Sequence, residues 1–378
     1  MKPKTLGNLN LKGKKVLLRV DLNCGVFKGK IIESSRIKAH GKTIKELVRK
    51  NAKVVILAHQ GNSGDGNFIG LRQHAKILNK YVNVKFINDT IGKKAINEIN
   101  KLSSGEALLL ENVRFLKEEF KPSVKNRFVQ KLKPLFDYYI NDAFSVCHRN
   151  QTSIVSFPKV LPSGIGRVME EELKNIKKLK SKLKNCLFIL GGKKTVDLIP
   201  LLKNRKILTG GYLSLLALIS EGHDLGKENK ILKDQLKLLP KIKKYSKNLK
   251  NPMDLAINFN GKRKVLDLED FPQNYPVWGV GKKTIEMYKK DIKKARFIFL
   301  KGSLGKFQHE GFELGTKEIL KSIAKSKAFS VIAGGQTSDA LKKFHIDKNK
   351  FGYVSFSGGS LVKYLAGEKL IGLKALRI

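Results

Sequence analysis

Twelve arginines stand among the 76 basic residues of this 378-residue chain, and four of them fall in or just beyond apolar, strand-like runs of its first 150 positions. Their settings are KVLLRVDLN (15–23), SSRIKAH (34–40), LLLENVRF (108–115) and YYINDAFSVCHR (138–149), which carry Arg19, Arg36, Arg114 and Arg149. A guanidinium offers a planar fork of donors that matches carboxylate or phosphate oxygens in pairs, which an ammonium cannot do. Forks gathered at strand ends predict a pocket for a small, multiply charged anion; scattered surface arginine is the competing explanation. The second half carries other chemistry. Four times an apolar run meets paired glycines and then a helical pattern: CLFILGGKKTVDLI (186–199), KILTGGYLSLLAL (206–218), FSVIAGGQTSDALKKF (329–344) and YVSFSGGSLVKYL (353–365). A fifth segment, FIFLKGSLGKF (297–307), also follows an apolar run. Glycine permits a tight turn there, and the following helix offers free N–H groups to phosphate. One such turn has a purely steric explanation, whereas four in one domain predict phosphate or nucleotide binding. None has Walker A spacing or a full dinucleotide fingerprint. Lys194, just after Gly191 and Gly192, is the candidate for a lysine riding on a transferred phosphoryl group.

The elements that must hold these residues alternate. KVLLRV, KVVILA, NVKFIN, EALLLEN and DYYIND have the composition of strands, and GKTIKELVRKNA (41–52) and LRQHAKILNKYV (71–82) have helix-period apolar spacing. That alternation predicts a mostly parallel sheet covered on both faces, with ligands bound beyond the carboxyl ends of its strands. Asp21, Asn23, His59, Arg114 and Asp142 sit just past such ends, and Arg149 follows. Residues 166–184 are expected to form one long helix with Met169, Leu173, Ile176 and Leu179 on its apolar face, separating two α/β halves. A small-anion site in one half and a polyphosphate site in the other, joined by a possible hinge, predict phosphoryl transfer between a small acid and a nucleotide.

Composition sets outer limits. The formal net charge is +44, but the basic residues are mostly Lys and spread along the whole chain. No basic arm, zinc spacing or RNA-binding signature accompanies them, so a nucleic-acid-associated protein is a reading that rests on charge alone. Runs such as KKLKSKLK (177–184) and LPKIKKYSKNLK (239–250) have the pattern of solvated helix faces. Three separated cysteines, Cys24, Cys147 and Cys186, form no metal-ligand pair and no disulfide framework. With no signal-length apolar stretch, a cytoplasmic protein without membrane contact is expected.

The residues resemble the phosphoglycerate kinase family, closest to its archaeal members, over essentially the full length. The resemblance is carried by RVDLN (19–23), HQG (59–61), LLLENVRF (108–115), NDAFSVCHR (141–149), GRVMEEEL (166–173), ILGG with Lys193 and Lys194 (189–194), LTGG (208–211), KKTIE (282–286), FELGT (312–316) and LAGEKL (365–370). It implies an α/β fold of two Rossmann-like three-layer domains with mostly parallel sheets, joined by a long interdomain helix. The implied divisions are 1–165 for phosphoglycerate, 166–184 for the hinge helix, 185–362 for the nucleotide, and 363–378 as a tail returning to the first domain. Asp21, Asn23, Arg36, His59, Asn62, Arg114 and Arg149 are the implied phosphoglycerate residues, Asn62 standing where the family usually has arginine. Gly191, Gly192, Lys194, Gly210, Gly211, Gly302, Gly305, Gln308, Gly334, Gly335, Gln336 and Thr337 are the implied nucleotide residues. Arg36 and Lys194 are the implied catalytic pair, and Mg2+ arrives with ATP or ADP. A monomer or homodimer is implied.

The nucleotide half departs from the family pattern. Leu198 occupies the place of a second lysine, Lys301 and Ser303 replace Asn and Pro, and Gln308 replaces the ribose-binding Glu. Ala333 and Gln336 alter one glycine motif and Ser357 another. These changes raise an alternative, a relative that binds phosphoglycerate with an impaired nucleotide site.

Overall fold

A computed structural model describes residues 4–204 and 206–378. The chain divides into two compact units, Met1–Lys174 with Lys369–Ile378, and Asn175–Glu368. The last ten residues therefore group with the first unit, while 363–368 group with the second.

The first unit contains β1 (Lys15–Arg19), the short hairpin β2 (Val26–Phe27) and β3 (Lys30–Ile31), then β4 (Lys53–Leu57), β5 (Lys85–Phe86), β6 (Ala107–Leu109), β7 (Tyr138–Asn141) and β8 (Ser163–Ile165). Its main sheet runs β5-β6-β4-β1-β7-β8 with every pairing parallel. KVLLR and KVVIL are apolar on both faces because both faces are covered. Val16 and Leu18 join one core cluster with Ile44 and Leu47, and Leu17 joins another with Tyr139 and Phe157. The chain winds outward from β1 through β4, then returns to place β7 on the other side of β1. That reversal opens a crevice at the carboxyl ends of β1 and β7. In register, Arg19 lies level with Leu57 and Asn141, so the residues after all three strands converge there.

The second unit repeats the plan with β9 (Cys186–Leu190), β10 (Ile207–Thr209), β11 (Leu249–Lys250), β15 (Phe297–Lys301), β16 (Phe329–Ala333) and β17 (Tyr353–Ser355) in the parallel order β11-β10-β9-β15-β16-β17. Its reversal lies between β9 and β15. Inserted before β15 is a three-stranded antiparallel sheet of β12 (Asp254–Phe259), β13 (Lys262–Asp267) and β14 (Val277–Val280). Sequence periodicity did not announce this insert. Asp254 ties it to the helix Lys282–Lys294, its carboxylate accepting the Lys283 N–H at 2.9 Å and the Thr284 N–H at 2.9 Å.

The helix expected over 166–184 spans Arg167–Lys180. Met169, Ile176 and Leu179 are buried and Leu173 half-buried. It stops where the Ser181 hydroxyl donates to the Lys178 carbonyl at 2.9 Å, competing with the helical ladder. The division between the units falls inside it. The run 239–250 is likewise broken, into the helix Leu239–Lys243, a 3-10 turn Ser246–Asn248 and β11, and does not form one helical face. Among the described residues no helix is long and apolar enough to cross a membrane.

Candidate active site

At the crevice of the first unit, Asp21 is buried and accepts from Arg36, from the Ser145 hydroxyl and, at 3.0 Å, from the Asn23 N–H. Burial alone would raise its pKa, but Arg36, with His59, Ser145 and His40, holds the carboxyl well below the usual range. Asn23 is fixed by the Gly61 N–H, which donates to its Oδ1 at 2.9 Å. Gly61 is obligatory there: its φ is +67° and a Cβ would sit 2.4 Å from the Asn67 carbonyl oxygen.

His59 is buried, and its Nδ1 lies 3.1 Å from Arg19 Nη2. Because arginine only donates, Nδ1 accepts and the ring proton rests on Nε2. Burial lowers the imidazole well below its ordinary pKa, Asp21 opposes this, and Arg19, Arg114 and Arg149 add to it. His59 is thus a neutral donor, and the 4.0 Å approach to Asp21 is not a formed ion pair.

Arg114 donates through Nη1 to the Gly61 carbonyl and, at 2.8 Å, to Asn62 Oδ1. Asn62 in turn donates to Asp65 at 2.8 Å, so it supports Arg114. Arg114 Nε and Nη2 and Arg149 Nε are buried with no hydrogen-bond partner among the described residues. Burial, then repulsion from Arg149 and Arg19, brings the Arg114 pKa down to about 10, and burial lowers Arg149 as well. Packed cations with orphaned donors suit a polyvalent anion.

Arg19 does not belong to that set. Its guanidinium is fully buried, donating to Ser153 Oγ at 2.9 Å, to the Val20 carbonyl and to His59. Ser153 passes the contact on to the buried Glu119, donating from its hydroxyl at 2.7 Å and its N–H at 2.8 Å. Of the four expected forks, Arg19 is engaged inside the protein and orients His59, which leaves Arg36, Arg114 and Arg149 as the candidates for an anion. The sequence reading also missed His40 and the use of Asp142. His40 Nε2 accepts the Asp21 N–H at 3.3 Å, its Nδ1 lies 3.0 Å from Asp142 Oδ2, and Asp142 Oδ1 accepts the Met169 N–H at 3.0 Å. Asp21 is thereby wired to the first turn of the helix Arg167–Lys180.

In the second unit the glycine turns after β9, β10 and β15 knit together. Gly191 N–H donates to the Lys301 carbonyl at 2.8 Å, Gly192 N–H to Ser303 at 2.9 Å, and Tyr212 N–H to Gly192 at 3.0 Å. A Cβ on Gly302, φ +85°, would lie 2.1 Å from the Gly191 oxygen, so backbone meets backbone. Beside these turns is a cavity of about 220 Å³. Gly192, Gly211, Gly305, Gln308 and Gln336 line it, and Gly191, Gly210 and Gly302 pack behind it. Lys194 is exposed and, like Gly334, Gly335 and Thr337, does not line it; Gly334 and Gly335 face open space and Thr337 is buried. Leu198 is buried apolar core. The inserted sheet supplies what the sequence reading missed: Trp278 on β14, its ring 4.5 Å from His309 and under Lys306 Nζ at 4.1 Å. A slot with aromatic, apolar and backbone walls suits a nucleoside.

The sequence model of a known family, phosphoglycerate kinase, matches residues 6–368. The chain belongs to the phosphoglycerate kinase family. A phosphoglycerate kinase of Methanothermus fervidus is 40% identical over 396 residues, covering 98% of this chain and 96% of that one. One of Sulfurisphaera tokodaii is 40% identical over 394 residues, covering 98% and 95%. The crystal structure of phosphoglycerate kinase from Pyrococcus horikoshii superposes with a TM-score of 0.92 at 34% identity, covering 98% of each chain. The phosphoglycerate kinase of Coxiella burnetii gives 0.79 at 29% identity, covering 100% of this chain and 99% of that one. The two-unit α/β architecture above is the architecture of phosphoglycerate kinase structures.

Proposed function

We propose that this chain is a phosphoglycerate kinase, moving a phosphoryl group reversibly between 1,3-bisphosphoglycerate with ADP and 3-phosphoglycerate with ATP. The observation that carries the reading is the under-compensated arginine cluster of the first unit, and the glycine-walled slot of the second supports it. Arg114, Arg149 and the Nε2–H of His59 bind the acid's phosphate and carboxylate, and Asn23 and Asp21 position it. A carboxylate oxygen of the acid attacks the terminal phosphorus of ATP, the bond to the ADP oxygen breaks, and an acyl phosphate forms; the return reaction reverses each step. Negative charge on the moving group is countered by Arg36 and Lys194, which need supply no covalent chemistry. Mg2+ enters as part of the nucleotide substrate; the described residues contain no group of three or more His, Cys, Asp or Glu placed to hold a metal ion. Turnover requires the two units to bring their ligands together, and the helix Arg167–Lys180 is the proposed hinge.

Calorimetric titration separates the two halves of the reading. Arg149→Met should abolish the heat of 3-phosphoglycerate and leave ADP binding intact, and Trp278→Ala should do the reverse. Acid binding unchanged in Arg149→Met would remove the arginine cluster from the account.

A further inference from the structure

Lys301 ends β15, beside the reversal of strand order, and its side chain is only 12% exposed. Its ammonium lies 4.0 Å from Asp197 Oδ2, beyond hydrogen-bonding range, and Asp197 is itself 39% exposed. No other ion pair or side-chain hydrogen bond holds that ammonium among the described residues. An ordinary lysine would extend its head into water. This one is enclosed by the end of its strand and by Gly358, whose Cβ position is 4.0 Å from Lys301 Cε. Burial lowers its pKa, Asp197 opposes the fall, and repulsion from Lys194 deepens it. Across the same turn, Lys306 is also lowered by burial and by Lys193, with Glu228 opposing. Of the chain's many lysines, these two alone show a downward shift among the described residues, and one five-residue step joins them. A buried ammonium whose nearest carboxylate stands beyond hydrogen-bonding range suits an anion that can reach it.

The position of Lys301 narrows which anion. It does not line the nucleoside-sized cavity, yet Ser303, two residues on, does. Its ammonium therefore lies outside that cavity, on the side of Lys194 and Asp197. We infer that Lys301 is a positioning residue for the outer phosphates of the nucleotide, with Asp197 as the placeholder it leaves when the phosphates arrive. This rests on the phosphoglycerate kinase reading and deepens it. A compact ammonium can follow a phosphate oxygen as a point charge, whereas a guanidinium would demand a fixed fork.

The test is calorimetry on the full chain with adenosine, AMP, ADP and ATP, in excess Mg2+, for the wild type and for Lys301→Met, Lys301→Arg and Asp197→Asn. Loss of one charged hydrogen bond corresponds to about one to two decades in affinity. Lys301→Met should weaken ADP and ATP by about tenfold to a hundredfold and shift adenosine and AMP less than about twofold, with Lys301→Arg recovering part of the loss. Asp197→Asn should tighten ADP and ATP a few-fold by removing the competitor. Unchanged ADP and ATP binding in Lys301→Met overturns the inference, and so does an equal loss of all four ligands, which would mark a structural residue. A wild type that binds none of the four takes the phosphoglycerate kinase reading down together with it.

Discussion

Arg19 and Arg114 both follow apolar strand runs, yet one is sealed into a network and the other keeps two bare donor nitrogens. Residue type and spacing cannot separate these cases, because direction and burial decide them. Arg19 reaches the buried Glu119 through Ser153, and losing a buried hydrogen bond from a charged group costs about 1.5–3 kcal/mol. Arg19→Met should therefore lose roughly that stability in urea titration, and Arg19→Met with Glu119→Gln should recover much of it; equal losses would show that the two do not interact. Arg36→Ala should cut turnover by ~10²–10³ while shifting acid binding far less, since its charge is needed most in the transition state. Steady-state kinetics with calorimetry would check this, and unchanged turnover would take Arg36 out of the mechanism. Glu228 gives a pH signature. Burial raises its carboxyl to about 7, against the pull of Lys306 and the Val277 N–H. Because the folded pKa is raised, the protonated group's contribution is complete below the unfolded value of 4.5 and is lost as pH rises through about 7. The wild type should lose up to roughly 3 kcal/mol relative to Glu228→Gln across that window. Parallel stability curves for the two proteins would refute the shift.

Among elements, the central strands and the glycine turns were legible because burial on both faces writes a continuous apolar run and because turn glycines are punctuation. The inserted antiparallel sheet was not. Its β13, KRKVLD, is largely exposed, and β14 contains a glycine, so neither has clean alternation. Trp278, the aromatic wall of the candidate nucleotide slot, was missed with it. The path from Asp21 through His40 and Asp142 to Met169 was also invisible, since its members lie far apart in sequence and meet only in the fold. Asp142 satisfies one of the free N–H groups at the start of the helix Arg167–Lys180, and loss of such a cap costs about 0.5–2 kcal/mol. Asp142→Ala should lose at least that much and also weaken the effect of 3-phosphoglycerate on hydrogen exchange in this helix. An exchange response identical to the wild type's would mean that Asp21 and the helix are not coupled.

At the scale of the molecule, the +44 net charge comes mostly from lysines spread along the whole chain. It should steer anionic substrates inward, so the KM values for 3-phosphoglycerate and nucleotide should rise with ionic strength, and any DNA or RNA binding should vanish in moderate salt. Tight binding of one nucleic-acid sequence at physiological salt would contradict that. The proposed function needs both units at once: a candidate acid site with spare arginine donors and a candidate nucleotide site whose glycine backbone persists although neighbouring side chains have changed. Backbone N–H groups do most of the cradling of phosphate, so those changes should raise the nucleotide KM without abolishing transfer. The direct measurement is a coupled assay of phosphoryl transfer in both directions at millimolar nucleotide with Mg2+, on the purified protein and on Lys194→Ala. ATP-dependent phosphorylation of 3-phosphoglycerate, and ATP formation from 1,3-bisphosphoglycerate and ADP, both strongly reduced in Lys194→Ala, is the predicted result; turnover no greater than that of the variant, alongside clear 3-phosphoglycerate binding, would contradict it.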